Sequence, residues 1–447
     1  MSQMMPVDDR GSTGVVARLS MMMFLQFFVW GAWYVSQTGY MGAKGMSPLI
    51  AWAYTVGPIA AIISPFFLGM IADRFFASQK VLGVLHLIGG GVMLLVPSMA
   101  GAYTDGAKFL HPYVLLLMVH MLCYMPTLGL TTSLSMHNLT NSEKQFPIVR
   151  VWGTIGWIVG SVVVGGSLTN FGIDVTWFAE GDRSPVQYFV SGIAGVVLGL
   201  YAFSLPDTPP PLAGKRVTAR EILGLDALSL FAKPSYFVFI MCSFLLCIPL
   251  AGYYNWARTF VDETWSAHAP LVNGVKEYTN ATGTMTLGQG AEIFFMLIMP
   301  LCFARLGVKW MLAVGMAAWV VRYALFAGAA EEQVKWMVLG GIVLHGICYD
   351  FFFVTGMVYV DKTAPASIRG QAQGLLVLVT QGLGLGLGAQ AFGWLVARHT
   401  VSAPPAPDVL DWKQIWTWPA VFAAVILVIF VAAFRNGKKT EVAAPEG

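Results

Sequence analysis

Residues 283–304 read GTMTLGQGAEIFFMLIMPLCFA. As a helix this stretch is long enough to cross a hydrocarbon core of ~30 Å. It carries one ionisable side chain, Glu292, with Gln289 one turn before it. A charge at that depth is expensive and marks a functional position. Outward from this segment, similar apolar runs bounded by charges, Gly and Pro lie near 18–38, 50–72, 80–101, 112–137, 149–169 and 186–205. A second set lies near 236–258, 283–304, 309–329, 336–360, 371–397 and 414–434. The reading is an all-α membrane protein of twelve transmembrane helices in two six-helix bundles. The expected bundles are 1–205 and 234–447, the second ending in a short tail, with a cytoplasmic linker over 206–233. That linker holds Pro209-Pro210-Pro211, Lys215, Arg216 and Arg220.

Composition agrees. Of 447 residues, 57% are hydrophobic and 11% charged, less than half the roughly 25% charged content of soluble domains. This excludes a soluble enzyme with a single anchor, a β-barrel and a nucleic-acid binder. Twenty-six basic residues against 23 acidic ones leave +3, too little to read phosphates electrostatically. The five cysteines all fall in apolar stretches with no metal-ligand spacing, so no disulfide and no metal site are expected. The first 17 residues lack the form of a cleavable signal. Lys and Arg concentrate in the loops that alternate with the amino terminus, which places both termini in the cytoplasm. The expected location is the inner membrane.

The two sets repeat each other. Span four has His120-x-x-Cys123-Tyr124 and span ten has His345-x-x-Cys348-Tyr349. Asp73-Arg74 after span two matches Ala304-Arg305 after span eight. The Gly69-x-x-x-Asp73-Arg74 loop resembles the signature loop of the major facilitator superfamily. Within that superfamily, several blocks resemble the bacterial nucleoside–proton symporter family. They are Phe24–Trp33, Tyr124–Leu130, Phe146–Gly156, Gly224–Ala227, Gln289–Glu292, Arg322–Phe326, Tyr349–Phe352 and Ala372–Gly374. The resemblance implies a proton-driven importer of nucleosides that works by alternating access. Its binding site would lie at the midplane between helices one, four, five, seven, eight and ten.

Three ionisable groups sit at similar depth. Counting 1.5 Å per residue puts Glu292 about 18 Å in, Arg322 about 20 Å and Asp350 about 17 Å. Arg322 stays protonated and neutralises one acid. The other binds a proton more readily the more it is desolvated, as proton coupling requires. Glu292 is the first candidate for the coupling acid, because Gln289 one turn away shares its face, and Asp350 is the second; the competing reading is a static ion pair of Arg322 with one of them. Asp73 and Arg74 are the other expected ion pair or gate. The resemblance gives substrate-site roles to Gln289, Glu292, Tyr349, Asp350, Arg150 and Thr154. Arg150 and Thr154 share a face one turn apart.

Gln26, Trp30, Trp33 and Gln37 recur at helical spacing. Trp30 and Gln26 are expected to line the cavity, since an aromatic face stacks a flat base and an amide reads its edge. In span seven, Tyr254 and Asn255 stand at or beside positions where the family has amides, and His345 replaces an aromatic. His345 is a candidate to share the coupling proton or read a substrate hydroxyl. These departures leave a sugar or amino-sugar cargo open beside a nucleoside, and a non-transporting sensor open as a rival class. The glycine run of span eleven has no Lys-Ser or Lys-Thr behind it, so it is not a phosphate loop. No cofactor is expected: the proton gradient is the driving force. The expected partners are a small-molecule substrate, protons and the lipid bilayer around a monomer.

Overall fold

The computed structural model describes residues 12–67, 75–101, 103, 106, 108–165, 177–178, 180–210, 224–266, 271–272, 275–276, 281–332, 334–401 and 408–435. The amino half holds α1 (Thr13–Gly31), α2 (Ile50–Phe67), α3 (Ser78–Leu95), α4 (Pro112–Asn138), α5 (Ser142–Gly165) and α6 (Val186–Ala202). The carboxy half begins with α7 (Pro234–Ser266). Then Ala281–Glu332 runs as one helical stretch broken at Gly307, with α8 before the break and α9 after it. Gly307 has φ 66° and ψ 178°, a conformation that only glycine adopts without strain. Then come α10 (Lys335–Thr363), α11 (Arg369–Arg398) and α12 (Trp412–Ala433). All but α6 lie in stretches long and apolar enough to span a membrane, and α6 is a shorter apolar helix. That makes twelve crossings, the major facilitator fold.

Lipid and packing divide the side chains. Leu297, Leu301, Trp394 and Val428 are large apolar residues on the outside of the bundle, as expected where lipid replaces water. Without a hydrophobic force between helices, close packing must come from small residues. A Cβ on Gly156 would stand 2.1 Å from the Phe24 carbonyl oxygen, so glycine lets α5 lie directly against α1. Across the halves, α2 packs on α11 and α5 on the α8–α9 stretch. Gln390 of α11 donates to Thr55 of α2 at 2.7 Å.

Two departures from regular helix matter for the site. First, α1 ends at Gly31, and a turn over 32–36 leads to a short helix, Gln37–Ala43. The stripe from Gln26 to Gln37 is therefore not one continuous helix face. Second, α10 widens into a π-helical turn over Tyr349–Val354, and such turns often occur at functional positions. The repeated motif survives in space: His120 lies 5.8 Å from Tyr124 and His345 lies 6.0 Å from Tyr349, ring centre to ring centre.

Candidate functional site between the halves

An aromatic cluster crosses the seam. Trp30 packs at 5.4 Å on Tyr34, 5.4 Å on Tyr124 and 5.3 Å on Trp157. Tyr34 then meets Tyr254 of α7 at 6.1 Å. Trp30 is half-buried and its indole N–H has no acceptor among the described residues, nor has that of Trp157. Indole donors usually find partners when buried, so these two are donors the fold leaves over. Tyr34, which carries the aromatic contact to the carboxy half, was not singled out in the sequence although it stands one turn after Trp30.

The acids sit opposite. Glu292 on α8 is buried and lies within electrostatic reach of Arg150 on α5, of Asp350 on α10, and of the Tyr254 and Tyr349 phenols. Among the described residues no contact ion pair joins Arg150 to Glu292. The Arg150 guanidinium lies over α1, 4.5 Å from the ring centre of Phe27. Asp350 is the second residue of the π-helical turn, is 0% exposed, and neither carboxylate oxygen has a hydrogen-bond partner among the described residues. Thr154 is buried one turn beyond Arg150, while Gln289 and Tyr349 are half-buried. Asn255 is buried, and its amide nitrogen is unpartnered among the described residues.

Gln26 is placed differently from the stripe reading. Its amide nitrogen donates to Thr127 Oγ1 at 2.8 Å, its amide oxygen accepts from His86 Nε2 at 2.8 Å, and its carbonyl accepts from the Tyr124 hydroxyl at 2.7 Å. It ties α1 to α3 and α4 inside the amino half. Trp33 also turns inward, onto His120 at 5.7 Å.

Arg322 corrects a second expectation. Its Nε donates to the Gly341 carbonyl at 2.9 Å and its guanidinium lies over the Tyr253 ring, with no ion pair among the described residues. Arg322 and Asp350 are therefore separate features. His345 stacks on the same ring, 5.5 Å from Tyr253, and its Nδ1 is unpartnered among the described residues. Asp73 and Arg74 lie outside the described residues.

A further cluster was missed by sequence reasoning. Arg183 and Asp182 in the α5–α6 loop face Arg258 and Asp262 on α7. The only signal was the one-turn spacing of Arg258 and Asp262, which says nothing of a partner in the other half.

Twelve crossings in two halves, meeting over aromatic rings and buried acids, have the architecture of a secondary transporter. The comparisons give the family. The nucleoside H+ symporter family matches residues 13–439, and the chain belongs to it. YegT of Escherichia coli (strain K12) is 40% identical over 94% of each chain. Nucleoside permease NupG of the same organism is 29% identical over 94% of this chain and 95% of its own. A crystal structure of a point mutant of the nucleoside transporter NupG superposes with a TM-score of 0.80 at 26% identity, covering 94% of this chain and all of the other.

Proposed function

We propose that this nucleoside–proton symporter imports its cargo across the inner membrane by alternating access, with Glu292 and Asp350 as the proton-bearing pair. The observation that carries this is Asp350: a buried carboxyl with both oxygens unpartnered among the described residues, beside a second buried acid. Such a pair cannot hold two negative charges cheaply, so changing its environment between the two open states moves a proton. Trp30, Tyr34, Trp157 and Tyr254 supply flat faces for a base, and Arg150, Thr154, Gln289, Asn255 and Tyr349 supply polar contacts. His345 and Arg322 stand behind this layer and shape it through Tyr253 and Tyr349. The chain acts as a monomer, with 1–205 and 234–447 rocking about the 206–233 linker and both termini in the cytoplasm.

The test is uptake of labelled uridine or adenosine into vesicles with an imposed pH gradient. Accumulation should follow an inwardly directed proton gradient and collapse when that gradient is dissipated. Accumulation of sugars alone, or uptake of nucleosides indifferent to pH, would overturn this reading.

A further inference from the structure

At the end of the bundle away from the termini, four charged side chains bridge the halves. Arg258 Nη2 lies 2.5 Å from Asp182 Oδ2, and its Nε donates to the same oxygen at 3.2 Å. Its Nη1 reaches Asp262 Oδ2, one turn on along α7, at 3.2 Å. Asp262 Oδ2 in turn accepts from Arg183 Nη2 at 2.5 Å. Thr282 at the start of α8 donates to Asp182 Oδ2 at 2.9 Å. The arrangement is reciprocal among the described residues: an Asp-Arg pair of the amino half meets an Arg and an Asp of the carboxy half.

The Arg258–Asp182 pair at its centre is buried and tightly seated. Arg258 is 3% exposed and Asp182 0%, so salt hardly screens the pair. The loop that presents Asp182 is tucked against α5: a Cβ on Gly181 would stand 2.3 Å from the Val164 carbonyl oxygen. Glu180 before it takes the left-handed conformation at φ 49°, a strained choice for a residue other than glycine. On the other side, a Cβ on Gly39 would stand 2.7 Å from the Arg258 guanidinium carbon. The short Gln37–Ala43 helix therefore closes over the cation.

We infer that Arg258 is the clasp of this end: closure is held by its bond to Asp182, and opening requires that bond to break. The physics suits a reversible latch. A buried ion pair contributes little net stability, because both charges are well solvated when the halves part. A charge left unbalanced within that buried cluster is costly only in the closed state. Removing one partner therefore shifts the population toward the open end. A static brace within one half would show no such bias. Glu263, the next residue after Asp262, is the internal control, since it accepts from Trp412 Nε1 at 2.6 Å within the carboxy half.

The experiment uses the full chain in membrane vesicles with Thr38→Cys, a buried position beside Gly39, as reporter. A membrane-impermeant maleimide is supplied on the face where this end opens, and the chain without the reporter gives the background. Arg258→Gln and Asp182→Asn should each raise the labelling rate about tenfold, the ratio that ~1.4 kcal/mol produces. Gly39→Ala, which displaces the guanidinium without changing any charge, should act in the same direction. Glu263→Gln should leave the rate unchanged. If Arg258→Gln does not reach the membrane, Asp182→Asn and Gly39→Ala decide. Unchanged labelling in the variants that fold, or an equal rise in Glu263→Gln, overturns the clasp. No nucleoside is needed, so the result stands apart from the choice of cargo.

Discussion

The guanidinium carbon of Arg322 stands 4.1 Å from the centre of the Tyr253 ring, and among the described residues no carboxylate meets it. A cation buried in the membrane region is held by a π-face and a single backbone carbonyl. Both interactions depend on a planar group: the ring accepts its face while Nε points along its plane to Gly341.

Lysine cannot reproduce that geometry. Arg322→Lys should lower stability by about 1–2 kcal/mol, the scale of a desolvated cation–π contact. Thermal unfolding in detergent measures it. Because no acid is freed, the proton dependence of uptake should keep its shape, and a changed pH profile would show that Arg322 is coupled to the acids after all.

Glu292→Gln removes a titrating group while keeping the side chain's size. Proton-driven accumulation should be lost, with exchange of labelled for unlabelled substrate retained, since exchange needs no net proton movement. Equal loss of both activities would point to binding instead of coupling.

Trp30→Ala deletes the ring that touches Tyr34, Tyr124 and Trp157. If a base stacks here, substrate affinity should fall by about tenfold to a hundredfold, the ~1–3 kcal/mol of a stacked base. Trp30→Phe, which keeps a face but loses the indole donor, should recover part of it. Equilibrium binding by calorimetry separates the two.

Gln26→Ala strips partners from Thr127 and His86 together. Each buried group left unsatisfied costs about 1–3 kcal/mol, so the unfolding temperature should drop clearly. Affinity should change less than in Trp30→Ala. The reverse ranking would return Gln26 to the cavity wall.

The legibility of this molecule follows from range. Membrane crossing is a property of a local segment: about twenty apolar residues must satisfy their own backbone hydrogen bonds, and that length can be counted along the chain. Glu292, Arg322 and Asp350 announced themselves because a charge in such a segment has few tolerable explanations. Helical spacing also linked Arg150 to Thr154 and His345 to Tyr349, since neighbours on one helix face are fixed by its pitch.

Which helix face meets which was decided only by the folded chain. Gln26 and Trp30 are one turn apart on α1, yet one is hydrogen-bonded to α3 and α4 and the other stacks among Tyr34, Tyr124 and Trp157, a difference set by which neighbouring helices each side chain meets. Arg322 was expected beside an acid because both lie at similar depth, but depth does not set direction around the bundle, and α9 turns it onto Tyr253. The Asp182–Arg258 contact joins a loop of one half to a helix of the other across 76 residues. No periodicity encodes such a contact, because its energy exists only once two separate surfaces have excluded water between them.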